Sequence, residues 1–134
     1  MNIIEKIALE EGFRGRMYKC PADKWTIGYG FNLEALDMPE EVAQFWLSVL
    51  VKDTEETLDM LGWYGGLNEA RRLAVTDMAY QIGVRGLCGF RRMAACLADK
   101  DYETAAIELL DSKYARQTPA RAKRNADIIR SGEV

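Results

Sequence analysis

Three side chains near the start of the sequence, Glu11, Cys20 and Thr26, bring a carboxyl, a thiol and a hydroxyl within a short stretch of chain. Hydrolysis of a sugar acetal needs a proton donor at the leaving oxygen. It also needs a second group, on the other face, that attacks the carbon or activates water while oxocarbenium character develops. Glu11 suits the donor role. It lies just before Gly12, at the expected C-terminal end of the first helix, where the negative end of the macrodipole raises a carboxyl pKa and favours the protonated form. A Glu-Gly helix end is common and by itself carries an ordinary structural reading. Eight residues separate Glu11 from Cys20, five separate Cys20 from Thr26, and Thr26 runs straight into Ile27-Gly28-Tyr29-Gly30.

The elements that must position these residues can be read from capping signals and periodicity. Asn2 and Glu5 stand at N-cap and N3 of a first helix, a variant of the capping box, with Ile3, Ile4, Ile7 and Ala8 as its apolar stripe and Gly12 as its stop. From Phe13 to about Leu33, glycines, Pro21 and the alternation of Trp25, Ile27 and Tyr29 with Thr26, Gly28 and Gly30 predict a small β-hairpin region, the one convincing strand segment. Asp37, Pro39 and Glu40 mark the start of a long helix over roughly residues 38–61, with Val42, Phe45, Trp46, Val49, Leu50, Leu58 and Leu61 at helical spacing. After Gly65-Gly66, Asn68 caps a helix to Gln81 that stops at Gly83, burying a face with Leu73, Val75, Met78 and Ala79. Shorter helices follow near 90–98 and 101–112, and Thr118-Pro119 opens a last helix that runs to Gly132. The pattern is α+β and mostly helical.

The run Glu11-Gly12-Phe13-Arg14, then Tyr18-Lys19-Cys20, then Trp25-Thr26-Ile27-Gly28-Tyr29-Gly30 resembles the phage lysozymes of the T-even and related lambdoid type, a family of muramidases. Arg71-Arg72, Met78 to Gly83, Gly89-Phe90, Tyr102 to Ile107 and Gln117 to Arg124 resemble that family's later segments, while Glu34 to Leu67 is similar only in helical pattern and looks shortened. The resemblance implies a lysozyme-like fold. Its small lobe would span about 13–60, with the β-hairpin at 13–33, and its helical lobe would combine 1–12 with 61–134. It further implies a peptidoglycan-degrading endolysin that cleaves between N-acetylmuramic acid and N-acetylglucosamine and causes bacterial lysis. Glu11 would be the general acid, Cys20 would take the second catalytic position, and Thr26 would hold the water or intermediate. Gly30, Tyr80, Gln81 and Phe90 match cleft-lining positions. Arg121 matches an arginine that faces the catalytic Glu, and Arg124 one that pairs with the preceding acid, here Glu10. Phe31, Met93 and Glu108 depart from the T-even residues at their positions.

A thiol at the second catalytic position changes the chemistry, because a free thiol with pKa near about 8.5 is mostly neutral at pH 7 where a carboxylate is charged. Lys19 and Lys24 are close enough in sequence to lower that value. The thiolate has two routes open to it, as base toward water or as nucleophile through a thioglycoside, and inversion or retention stays open with them. Cys88 and Cys96 read as core.

Composition narrows the remaining classes. With 134 residues, 49% hydrophobic and 29% charged, one folded domain is expected. A net charge of −3 provides no global field for nucleic acid. The basic run from Lys113 to Arg130 reads as a solvated helix face. No histidine is present, which removes a serine-histidine triad, and the three cysteines lack zinc-type spacing, so no metal and no cofactor is expected. The odd cysteine count fits a reducing cytoplasm, and no apolar run approaches the roughly 20 residues of a membrane span. The expectation is a monomer made in the host cytoplasm, not inserted in membrane, that reaches the cell wall after release, by a holin or by another route. Two competing readings are a catalytically silent wall-binding or interaction domain and a transglycosylase leaving a 1,6-anhydro product.

Overall fold

A computed structural model describes residues 1–134, and it divides into two compact units, Met1–Gln44 and Phe45–Val134. In the first unit the capping box forms as expected. The Asn2 side chain accepts from the Glu5 N–H at 2.9 Å and the Glu5 carboxylate accepts from the Asn2 N–H at 3.0 Å, which starts α1 (Ile3–Glu11). Gly12 ends it at φ 70°, a backbone conformation that costs a residue with a Cβ, while its N–H still bonds the Ala8 carbonyl. The apolar stripe of α1 does not behave as a core face: none of its residues is buried, and Ile3 and Ile4 are largely exposed.

Strands β1 (Arg14–Lys19), β2 (Trp25–Gly28) and β3 (Phe31–Asn32) follow as an antiparallel sheet in that order. Tyr18 pairs with Thr26 and Thr26 with Asn32, so β2 is central, and the register slips between Arg14 and Tyr18. The alternation read from the sequence is present on β2, and its polar set is the one that turns inward: Thr26 and Gly28 are buried while Trp25 is exposed. α1 groups with the sheet rather than with the later helices, because only Gly12 and Phe13 separate α1 from β1 and the Gly30 backbone packs on Glu11. The boundary falls inside α2 (Glu40–Asp59), not near residue 60.

In the second unit the remainder of α2 contributes Leu58 to the core, while Phe45, Trp46, Val49 and Leu50 stay exposed, as does Val42 in the first unit. Asn68 caps α3 (Glu69–Cys88) by accepting from the Arg71 N–H at 2.9 Å. α3 breaks at Gly83 (φ 80°) where the sequence predicts a stop, and a further short helical turn follows the kink. Val75, Met78 and Ala79 are buried as expected. Leu73 is exposed and Ala74 takes its place in the core, one position round the helix. α4 (Arg91–Ala98), α5 (Tyr102–Leu110), α6 (Lys113–Gln117) and α7 (Pro119–Ser131) complete the unit. α6 is an additional element, capped by Ser112, whose hydroxyl accepts from the Ala115 N–H. Thr118 precedes Pro119 at N1 but its hydroxyl donates backward to the Tyr114 carbonyl instead of capping α7. Of the two cysteines read as core, Cys96 packs against it and Cys88 is exposed.

The core contains Leu58, Val75, Met78, Leu87, Met93, Leu97, Leu109 and Ile129, each fully buried and worth about 1.5–3 kcal/mol as a buried side chain. Ala105 and Ala106 on α5, with Ala122 and Ala126 on α7, are also fully buried, and such small side chains let these packed helices approach closely. No helix is long and apolar enough to cross a membrane.

The C-terminal end of α7 is closed by groups from the start of α3. Arg71 donates from Nε to the Ile129 carbonyl at 2.7 Å and from Nη2 to the Arg130 carbonyl, while its guanidinium lies 3.5 Å from the centre of the Tyr102 ring. Asn68 donates to the Gly132 carbonyl, and Gly132 adopts φ 75°. A cation and an amide thus satisfy carbonyls that the helix itself leaves open. A Cβ at position 132 would fall 2.9 Å from the Arg71 guanidinium carbon. Gly132→Ala is expected to cost about 1–2 kcal/mol through the left-handed backbone alone, seen as a fall of a few degrees in the thermal midpoint.

Candidate active site

The first unit contains Glu11, Cys20, Thr26 and Gly30, in two contacts: Glu11 with Gly30 and Cys20 with Thr26. Glu11 is the last residue of α1 and is exposed. Gly30 follows the end of β2 at φ 71°, and its backbone lies so close to Glu11 that a Cβ there would fall 2.5 Å from Oε2 and 3.0 Å from the carboxyl carbon. Only hydrogen fits between them. Gly28 is similarly constrained, at φ 69° and with the Phe31 ring where its Cβ would be. This pair of glycines explains the Gly-Tyr-Gly run: one makes room for an aromatic ring and the other for the carboxyl.

Cys20 and Thr26 sit across the β1–β2 connection. The Cys20 N–H donates to the Lys24 carbonyl at 3.0 Å and the Asp23 N–H to the Cys20 carbonyl at 2.8 Å, which makes a tight reversal with Asp23 at φ 62°. The turn folds backbone donors over the sulfur. The Lys24 N–H, first in effect, holds the Cys20 thiol below its ordinary value; partial burial opposes it, and the Ala22 N–H and Thr26 hydroxyl add to the lowering. Thr26 is 3% exposed, and its hydroxyl donates to the Lys24 carbonyl at 2.9 Å. One hydroxyl proton therefore has two acceptors within reach, a carbonyl and a sulfur. Lys19 is held instead over the Trp25 ring, 4.6 Å from its centre, so backbone dipoles rather than a lysine lead the effect on the thiol. A carboxylate that the sequence did not single out, Glu34, accepts the Trp25 N–H at 2.8 Å and ties the segment after β3 to β2.

In the second unit, Tyr80 and Arg121 line one cavity of about 750 Å³. Arg121 is paired with Asp77 on α3, donating from Nε at 2.9 Å and from Nη2 at 2.5 Å. These hydrogen bonds hold the Asp77 carboxyl below its ordinary range against the opposing effect of burial, with the Asn125 amide assisting. Gln81 is exposed and outside that cavity's lining. Phe90 packs edge-on against Tyr114 at 6.4 Å between ring centres, next to the core and beside a smaller cavity of about 260 Å³. Glu10 pairs with Lys6 one turn earlier on α1, and Arg124 is exposed without a carboxylate partner. Asp77 and Asn125 were not singled out in the sequence. An aspartate three residues before a tyrosine on a helix gives no local sign that it meets an arginine 44 residues later.

Residues 8–126 match the family model described as phage lysozyme, and the chain belongs to that family. It is 24% identical over 163 residues to probable T4-type lysozyme 1 of Dictyostelium discoideum, covering 99% of this chain and 96% of the relative. It is 28% identical over 87 residues to probable T4-type lysozyme 2 of the same organism, covering 65% of this chain and 51% of that protein. A peptidoglycan hydrolase, gp36 of Pseudomonas phage phiKMV, is 29% identical over 133 residues, which cover 91% of this chain but 14% of the phage protein.

Two outcomes are expected from this geometry. Gly30→Ala forces the Glu11 carboxyl to move and adds backbone strain of about 1–3 kcal/mol, to be read from thermal unfolding and a structure of the variant. In iodoacetamide labelling followed by peptide mass spectrometry, Cys20 reaches half-maximal rate at a pH below that of a free thiol. Cys96 does so above it, because burial first and then the Asp101, Glu108 and Asp99 carboxylates push its thiol up. Equal pH profiles for the two thiols would contradict the donor cradle.

Proposed function

We propose that this protein is a muramidase, hydrolysing the bond between N-acetylmuramic acid and N-acetylglucosamine in bacterial peptidoglycan, with Glu11 as general acid. The observation that carries this reading is the contact of Gly30 with the Glu11 carboxyl. It links α1 to the loop directly after β2, the strand on which Thr26 lies, and Thr26 is in turn joined to Cys20 across the reversal. Membership in the phage lysozyme family supports a glycoside hydrolase of lysozyme type, and the printed name of the phage relative supports peptidoglycan as the substrate class.

In this scheme Glu11 gives its proton to the glycosidic oxygen as the C–O bond breaks, and the leaving sugar departs as an alcohol. On the other face the Cys20 thiolate, formed more readily under its backbone donors, takes a proton from water that attacks the anomeric carbon. Its second route is direct attack to form a thioglycoside, which water then hydrolyses with Glu11 acting as base. Thr26 orients that water through its hydroxyl. Acting on the wall of its host after release through a holin, the enzyme would cause lysis.

Clearing of a peptidoglycan suspension tests the reading. Glu11→Gln is expected to lose about a hundredfold or more of the rate, Cys20→Ser most of it, and Cys20→Asp much less. Equal clearing by wild type and Glu11→Gln would remove Glu11 from the chemistry, and no clearing by either would leave a silent wall-binding domain. Mass spectrometry of the released fragments separates hydrolysis from a 1,6-anhydro product.

A further inference from the structure

The cavity in the second unit contains an arrangement that the catalytic scheme does not use. Arg121 spends Nε and Nη2 on Asp77, and its Nη1 makes no hydrogen bond, although the side chain is 37% exposed along the cavity wall. Behind the pair, Asn125 is buried at 4% exposure. Its amide donates both to Asp77 at 2.8 Å and to the buried Tyr114 hydroxyl at 3.1 Å, so both of its N–H donors are used. A buried amide and phenol are expensive in a helical core unless fully satisfied, and when satisfied they rigidify what they hold. α3 and α7 already pack together through their apolar faces. The polar network therefore adds direction rather than a first link between the two helices.

The geometry points to Asp77 as the positioning residue that presents Arg121 to substrate as a fixed hydrogen-bond donor of no net charge, aimed at an amide carbonyl of the glycan strand. This rests on the muramidase reading. The acceptor is a carbonyl rather than a carboxylate because the Asp77–Arg121 pair cancels its own charge. The rest of the lining carries Glu55, Asp59 and Glu69 against Arg72 alone, a field that repels anions. Tyr80, exposed on the same lining, offers a flat face to a neutral sugar ring or acetyl group. N-acetylated, peptide-substituted glycan carries such amides on every repeat.

The test is co-sedimentation with purified insoluble peptidoglycan, run in a Glu11→Gln background so that binding is read without turnover. The thermal midpoint of every variant is measured alongside to establish that it is folded. Asp77→Asn and Arg121→Lys are each expected to weaken binding about tenfold, and the double variant no more than the weaker single, since one residue acts through the other. Asn125→Ala, which leaves the cavity lining unchanged, weakens it about threefold and serves if Asp77→Asn fails to fold. Raising NaCl from about 50 to about 300 mM changes binding by less than about threefold, because no charge pair is formed with the strand. The inference is overturned if the folded variants bind as the background does, if the two single effects multiply in the double variant, if binding collapses with salt, or if the background protein does not bind peptidoglycan. Failure of the muramidase reading is separately visible, as hydrolysis that survives Glu11→Gln or is absent from wild type.

Discussion

The strand pairing of the small sheet is the constraint on which the first unit is built, and it sets Gly30 against the Glu11 carboxyl. The carboxylate that ends α1 stays exposed, with one side against Gly30. Here the chain reverses at Gly12, forms a hairpin, and returns with a glycine whose missing side chain is the space the carboxyl occupies. Register does the rest. Because Thr26 pairs with both Tyr18 and Asn32, the central strand and its following turn are held in one alignment, and the position of Gly30 over Glu11 is inherited from that pairing.

The thiol shows how local backbone geometry substitutes for charged neighbours. Lysines flank Cys20 in sequence, yet Lys19 is stacked on Trp25 and the larger effect on the sulfur comes from the N–H of Lys24, with Ala22 assisting. Backbone donors are fixed by the turn and need no side-chain ordering, whereas a flexible ammonium would lose rotamer freedom to do the same work. A thiol in this cradle ionises more readily than a free one.

The second unit solves a related positioning problem with a hydrogen-bonded core rather than a turn. Both ends of α7 are held by α3. Asp77 grips Arg121 in its first turns, and Arg71 with Asn68 closes its last carbonyls. Between these ends, alanines keep the helices close. A helix so held at both ends has little freedom to rotate about its axis, which keeps the Arg121 guanidinium on the cavity wall.

Much of this was legible in the sequence where the determining interaction is local. The capping box of α1, the break at Gly83, the proline start of α7 and its glycine end are decided by residues within one turn of the feature, and they stand where the sequence puts them. The family resemblance carried by Glu11, Cys20, Thr26 and the glycine run is likewise a matter of residue types at fixed separations along the chain. Tertiary structure decided what depends on distant partners. It determined which face of β2 turns inward, that Leu73, the stripe of α1 and the first part of the α2 stripe stay exposed, and that α1 groups with the sheet. It also gave Arg121 the partner Asp77, through a network that joins α3 to the distant pair of consecutive helices α6 and α7. The physical reason is range: helix caps and turns are closed by neighbours a few residues away, whereas burial and ion pairing are set by which surfaces meet, and that information is spread over the whole chain.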